Sequence, residues 1–302
     1  MANLTGLLPS WELALDAANK SPKTIRSYLD SVRKLDAYLT AQHMAPDAPG
    51  IRAFLAAETA RTSAVSAQVH YRNLRVFFGW CVREGELDAS PMARVDKPAA
   101  APEVKPFLTE ADLAALLKAT SGQDLESRRD HAILRILIDT GCRVSGIAGL
   151  RYDPDDEDRN DVFLAAHRLR VRLKGGAVWW IPVGKRTATA IDRYLRARAR
   201  SPHAASPWLW LGTRGHDVAH FGASGIRAMV ARRGREAGVQ GVNPHRFRHT
   251  FADKWLDLGG NVDDLMNVAG WRSYTMPLRY AKGRGIARAA VAHARLSPGD
   301  RL

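Results

Sequence analysis

The amino-acid sequence predicts a mainly α-helical chain with a small antiparallel β-sheet: an all-helical N-terminal domain followed by a mixed α/β domain. Three observations predict it. From Ser21 to Arg83, apolar residues recur at steps of three and four, the period of helices that bury one face. Asp96 to Pro106 holds three prolines in eleven residues, which denies both helix and strand and reads as an extended linker. From His167 to Val183, polar and apolar residues alternate on either side of Gly175-Gly176, the pattern of a β-hairpin. With 302 residues, two domains can each have a core. The expected boundaries are 1–95, a linker at 96–106, and 107–302.

In order, Ser21 caps a helix that starts at Pro22 and carries Ile25, Tyr28, Leu29, Val32, Leu35 and Leu39 on one stripe. A shorter helix is expected over Ile51–Ala57. A long one runs from Ser63 to Arg83, with Val65, Val69, Leu74, Phe77, Phe78 and Cys81 facing inward and Gly85 ending it. Tyr28, Phe77 and Trp80 read as core residues. At roughly 3 Å per residue the linker spans over about 25 Å, enough to pass a rod roughly 20 Å wide. Thr109, with acids at Glu110 and Asp112, caps the first helix of the second domain. Arg128 to Thr140 is an apolar helix ended by Gly141, and Arg143 opens another short one. Six acids between Arg151 and Asp161 suggest a calcium loop. The sixth position from Asp153 lacks Gly and the twelfth is Leu164, so a solvated loop is expected instead. Lys174 falls at the hairpin tip. Lys185 to Arg200 and Gly222 to Glu236 read as basic helices, some of Arg227, Arg232, Arg233 and Arg235 being expected on phosphates. Trp208 to Leu211 reads as buried or at an interface. Val262 to Val268 is a short helix before Gly270-Trp271, and a tail helix is expected within Gly283–Leu296.

The formal charge is +14 and unevenly placed. Residues 1–106 hold 13 Lys and Arg against 11 Asp and Glu, and residues 107–302 hold 32 against 20. A basic excess in one domain points to a polyanion. Nucleic acid fits better than a membrane, because neither terminus carries a strongly basic amphipathic helix. No apolar run is long enough to span a bilayer, and the N-terminus lacks the basic-then-apolar pattern of a secretory signal. Two cysteines, Cys81 and Cys142, make no disulfide framework and suit a cytoplasmic protein; Cys142 reads as packing.

Asn243-Pro244-His245-Arg246-Phe247-Arg248-His249-Thr250 reads as a capped helix start. His245 and Arg248, three apart, lie on one face near the positive helix end, a ready phosphate site. His245 and His249 also have the spacing of a zinc pair. Arg246 stands where a zincin helix has Glu, however, and Arg248 would repel a cation. A lone His-x-x-Arg is common on helices, and its weight comes from the other elements. Thr140-Gly141-Cys142-Arg143-Val144-Ser145 lies upstream, Lys174 sits in the hairpin, and Tyr280 follows Trp271 by nine residues.

In that order, Arg143, Lys174, His245, Arg248, Trp271 and Tyr280 resemble the tyrosine recombinase (phage integrase) family. Its pattern is Thr-Gly-x-Arg-x-Ser-Glu, a hairpin lysine, His-x-x-Arg-His-Thr, Leu-Gly-His or Gly-Trp, and then Tyr. The resemblance covers nearly the whole chain and departs at Gly146, where the family usually has an acid that steadies the arginine network. It implies a site-specific DNA recombinase: a core-binding domain gripping one face of double-stranded DNA, a catalytic domain, and a homo-tetramer on two sites. It further implies that Tyr280 attacks to form a 3′-phosphotyrosine while Arg143 and Arg248 neutralise the phosphate. Trp271 would donate its N–H, and Lys174 would protonate the leaving 5′-oxygen. His245 is left two roles, hydrogen-bonding a non-bridging oxygen or accepting the tyrosine proton. Tyr274, three residues after Trp271, is a rival nucleophile. No metal, ATP or other cofactor is implied, and neither a P-loop nor carboxylates spaced for two metals occur in the sequence. A type IB topoisomerase would use the same residues, and a non-catalytic DNA-binding protein could share the fold.

Overall fold

The computed structural model describes residues 4–100, 107–172, 177–213, 218–271, 273, 274, 289, 290, 293–295, 297 and 299–301. The chain divides into two compact units, Met1–Val104 and Lys105–Leu302.

The first unit is helical among its described residues: α1 (Leu8–Ala17), α2 (Pro22–Ala41), α3 (Ala48–Arg61) and α4 (Ala64–Arg83), with 3₁₀ turns at Leu4–Leu7 and Pro91–Arg94. Ser21, Asp47 and Ser63 cap the last three helices by accepting from the backbone N–H groups of Thr24, Gly50 and Ser66. Their apolar stripes close on a core of Val32, Leu35, Ile51, Phe54, Leu74, Phe77 and Phe78. Helix α1 was not anticipated. Its Trp11 fills the centre of this core, stacked on Tyr28 and edge-on to Phe77. Val65 departs from the expected inward stripe and is 56% exposed: it lies in the first turn of α4, where the inward position is taken by Ala67. Helix α3 begins earlier than expected because Pro49 fits its first turn.

A polar cluster joins α2, α3 and α4. The His70 ring lies 3.4 Å from the Glu58 carboxylate and 3.0 Å from the Ser31 hydroxyl, and Asn73 donates to the same hydroxyl. Lys34 and Asp30 of α2 and Arg61 of α3 are the other charges acting on this imidazole. Burial holds it below its ordinary value of 6.5, against the pull of Glu58. The Arg61 hydrogen bond holds the Glu58 carboxyl below 4.5. Both depressed values mean that the unfolded chain binds protons more readily than the folded one. Stability is therefore expected to fall as pH drops below about 6.5, and further through the Glu58 range. Thermal melting of the full chain between pH 7 and pH 4 should show this fall, and His70→Gln should flatten its first part.

The second unit contains α5 (Glu110–Lys118), α6 (Leu125–Thr140), α7 (Val144–Ala148), β1 (Val162–Phe163), β2 (Arg168–Arg172), β3 (Val178–Pro182), α8 (Lys185–Arg198), α9 (Ala223–Glu236), α10 (Pro244–Asp257) and α11 (Val262–Ala269). The strands form one antiparallel sheet in the order β1-β2-β3. Strand β2 starts after His167, whose positive φ of 49° turns the chain into it. Leu169, Val171 and Ile181 face a core shared with Ile133, Leu137, Ile191, Trp210 and Val230. Thr109 and Asp112 form a complete capping box on α5. Tyr194 spans the core, donating to the Leu209 carbonyl and accepting from the Leu211 N–H, and burial pushes its phenol up to about 12.

One sequence expectation is corrected here, and a second is narrowed. Asp161, assigned to a solvated loop, is fully buried. It accepts from the Arg151 N–H and from Arg170 and Arg172, turning the end of the acidic segment into an anchor for β2. Of the four arginines among which some phosphate contacts were expected, Arg232 and Arg233 are engaged within the fold. Both donate to the buried Asp130, which also receives Arg129, and Arg233 adds a bond to Glu236. The physical reason is common to both: a buried carboxylate needs cationic donors, and neighbouring arginines supply them.

Candidate active site

The site is built where two helices end. Helix α6 stops at Gly141, whose left-handed φ of 56° lets the chain turn sharply out of the helix. Helix α11 stops at Gly270, also left-handed at φ 62°. Each end exposes carbonyls with no intrahelical partner and carries the negative end of a helix dipole. Arg248, on the first turns of α10, is buried between them. Its guanidinium donates to the Gly141 carbonyl at 2.7 Å and to the Ala269 carbonyl at 2.8 Å. It also lies over the Trp271 ring, 4.8 Å from its centroid. Arg143, the N-cap of α7, is exposed and donates to the next carbonyl along, Gly270, at 3.2 Å. The two guanidiniums thus hang from consecutive carbonyls of one turn.

His245 lies on the first turn of α10 and is exposed, with Asn243 capping the helix through the Arg246 N–H. The rings of His245 and His249 meet edge to face, 4.2 Å between centroids, so His249 limits the orientations His245 can take. Thr250 of the same motif is structural: it accepts from the Leu108 N–H and donates to the Arg246 carbonyl. Trp271 is only 5% exposed and packs with Phe251, Leu265 and Ala269. In this conformation its ring serves as a wall beside Arg248. Burial pushes the Cys142 thiol up to about 12, in keeping with a packing role. Lys174 and Tyr280 lie outside the described residues. Among the described residues, no group of three or more His, Cys, Asp or Glu could hold a metal ion, and no helix is long and apolar enough to cross a membrane.

Tyr274 is exposed and donates its hydroxyl to the Asp263 carboxylate. That bond raises its pKa, because ionising the phenol would set two anions side by side. A nucleophile needs the opposite shift.

Gly141 is required on two counts. A side chain there would take up a strained left-handed conformation, and its Cβ would come within 2.7 Å of the Phe251 ring. Gly141→Ala is expected to cost about 1–3 kcal/mol, read as a lower melting temperature.

A model of the phage integrase family matches residues 106–284, more than half of the chain. The chain belongs to the phage integrase family. It is 30% identical to the tyrosine recombinase XerC of Corynebacterium efficiens over 262 residues, covering 84% of this chain and 79% of the relative. It is 27% identical to the tyrosine recombinase XerD of Listeria innocua over 248 residues, 81% of this chain and 79% of that one. Two solved structures share the fold at low identity. One is the Tn1549 transposon integrase in complex with transposon right-end DNA, with a TM-score of 0.72, 18% identity, and 97% of this chain and 99% of that one covered. The other is a lambda integrase dimer bound to a core site, with a TM-score of 0.71, 16% identity, and 92% and 77% covered. As a member of this family the chain is a site-specific tyrosine recombinase, an enzyme that breaks and rejoins DNA.

Two contacts of the site were not expected from the sequence. His249 falls within the His-x-x-Arg-His-Thr motif and has the spacing of a zinc pair with His245, and its edge-to-face contact with that ring is the role the structure adds. Trp179 of β3, which donates to the Asn267 carbonyl and abuts Gly270, left no local signal.

Proposed function

We propose that this recombinase exchanges strands between two defined duplex sites, acting in the cytoplasm as a homo-tetramer, with Tyr280 as nucleophile. The observation that carries the reading is the convergence of Arg143 and Arg248 on the Ala269–Gly270 turn, with His245 on the same helix as Arg248. A phosphodiester is anionic and has a poor leaving group, so its cleavage requires charge neutralisation, a nucleophile and an acid. Arg143 and Arg248 neutralise the scissile phosphate, since a guanidinium pairs two oxygens and stays charged at every working pH. His245 hydrogen-bonds a non-bridging oxygen or takes the phenol proton. Lys174 protonates the departing 5′-oxygen, and Trp271 keeps water from the phosphate. Tyr280 then holds the DNA 3′-end as a phosphotyrosine, which conserves the ester bond for rejoining without ATP. The helical residues 1–95 supply further duplex contacts, and residues 96–106 join them to the catalytic part.

The test is chemical analysis of the cleaved strand. Wild-type protein is mixed with nicked duplexes taken from DNA flanking the gene. The expected products are a strand with a free 5′-hydroxyl and one bonded through its 3′-phosphate to protein. Peptide mapping should find the nucleotide on Tyr280. A nucleotide on Tyr274, or a protein-linked 5′-end, would overturn the assignment. Recombinant products between two duplexes, as opposed to relaxation of a supercoil alone, distinguish strand exchange from topoisomerase action.

A further inference from the structure

We propose that Trp179 is a positioning residue, holding the C-terminal end of α11 so that its carbonyls aim the two phosphate-binding arginines. This rests on the reading that Arg143 and Arg248 bind the scissile phosphate.

The C-terminal turn of α11 presents three carbonyls to three side chains from elsewhere in the fold. Asn267 receives the Trp179 indole N–H at 2.8 Å, Ala269 receives Arg248, and Gly270 receives Arg143. Two of the donors are catalytic candidates, and the third comes from the sheet. Trp179 makes a second contact as well. A Cβ at Gly270 would fall 2.9–3.0 Å from the edge of its six-membered ring, so the indole lies flush against the glycine whose carbonyl Arg143 uses. Helix α11 has only eight residues, and a helix so short has little rigidity of its own. What fixes its end fixes the arginine acceptors.

The line of contact continues beyond Trp179. Its register partner across the sheet is Val171, on the same, inward face. Val171 packs against Gly146 of α7, where a Cβ would meet the valine methyl at 3.0 Å and the Cys142 sulfur at 3.2 Å. Gly146 stands where the resemblance expects an acid for the arginine network. In this chain the position is a close approach of helix to strand instead. Arg143 is oriented through α7, β2, β3 and the end of α11, and Trp179 is the member that reaches the turn directly.

The experiment compares wild type with Trp179→Phe, which keeps an aromatic ring in the strand but removes the donor and falls short of Gly270, and with Trp179→Ala, which removes the ring altogether. Cleavage of a nicked duplex is timed at saturating DNA, affinity is measured by gel shift, and melting temperature reports folding. Three scissile groups are used: a phosphodiester, a 5′-bridging phosphorothiolate and a methylphosphonate. A thiolate leaves without protonation, so the second bypasses the general acid. The third is uncharged, so it relies less on the arginines.

On the phosphodiester, Trp179→Phe is expected to cleave about tenfold more slowly at unchanged affinity, and Trp179→Ala slower again. The phosphorothiolate should leave that ratio intact, and the methylphosphonate should bring it close to one. Three results would overturn the proposal: wild-type cleavage by Trp179→Phe, a ratio equal on all three groups, or a ratio abolished by the phosphorothiolate. If Trp179→Ala does not fold, Trp179→Phe decides alone. A wild-type protein that forms no adduct on any flanking duplex overturns the underlying reading of the site, an outcome distinct from equal rates in wild type and variant.

Discussion

Tyr280→Phe is expected to form no covalent protein–DNA adduct while binding DNA within about twofold of the wild-type affinity. The change removes one oxygen, the atom that would attack phosphorus, and leaves the ring. A free tyrosine ionises near 10, so it reacts only where cations stabilise its phenolate. In the proposed mechanism that field comes from the Arg143 and Arg248 guanidiniums. Tyr274 is tied to the Asp263 carboxylate, which opposes ionisation, so it should not substitute. A denaturing gel of nicked suicide duplexes with wild type, Tyr280→Phe and Tyr274→Phe reads this directly. An adduct that survives Tyr280→Phe and disappears in Tyr274→Phe would reverse the assignment.

Arg248→Ala is expected to slow cleavage by about 10²–10³, the usual effect of deleting one preorganised donor to a transition-state oxyanion. It should also lower stability, because the buried carbonyls of Gly141 and Ala269 lose their donor, at about 1–3 kcal/mol for each left unsatisfied. Arg248→Lys separates the two effects. It keeps the charge, but an ammonium lacks the planar fork that spans two carbonyls. Its melting temperature should fall between those of wild type and alanine, with most of the rate still lost. Cleavage at saturating DNA and thermal denaturation check both. An alanine variant that cleaves at the wild-type rate would remove Arg248 from the chemistry.

Much of this architecture could be read from the sequence wherever the determinant is local. Ser21-Pro22, Thr109 with Asp112, Gly141 and Asn243-Pro244 mark helix ends because caps and turn glycines act within a few residues. The order and spacing of Arg143, His245, Arg248 and Trp271 were legible for a different reason, the family pattern. What escaped depends on partners far along the chain. Asp161 looks like one more acid of a loop until Arg170 and Arg172 arrive from β2. Arg232 and Arg233 look like solvent-facing charges until Asp130 is seen beneath them. Trp179 and Trp180 are adjacent aromatics in one strand. Only the register with β2 decides that Trp179 turns inward to α11, while Trp180 turns outward beneath Arg168.

The arginines of this site are held by main-chain oxygens, and that has a consequence for how the gene can vary. A carboxylate that steadies a guanidinium is lost by a single codon change. A peptide carbonyl is encoded by every codon, so position 269 supplies its acceptor whatever small residue stands there, and position 270 does so as long as glycine keeps its turn. The fragile points of such a design move away from the charged partners to the backbone geometry itself: Gly141, Gly270 and the aromatic ring that braces the latter. A saturation-mutagenesis screen for recombination should therefore tolerate small substitutions at Ala269 far better than any at Gly270.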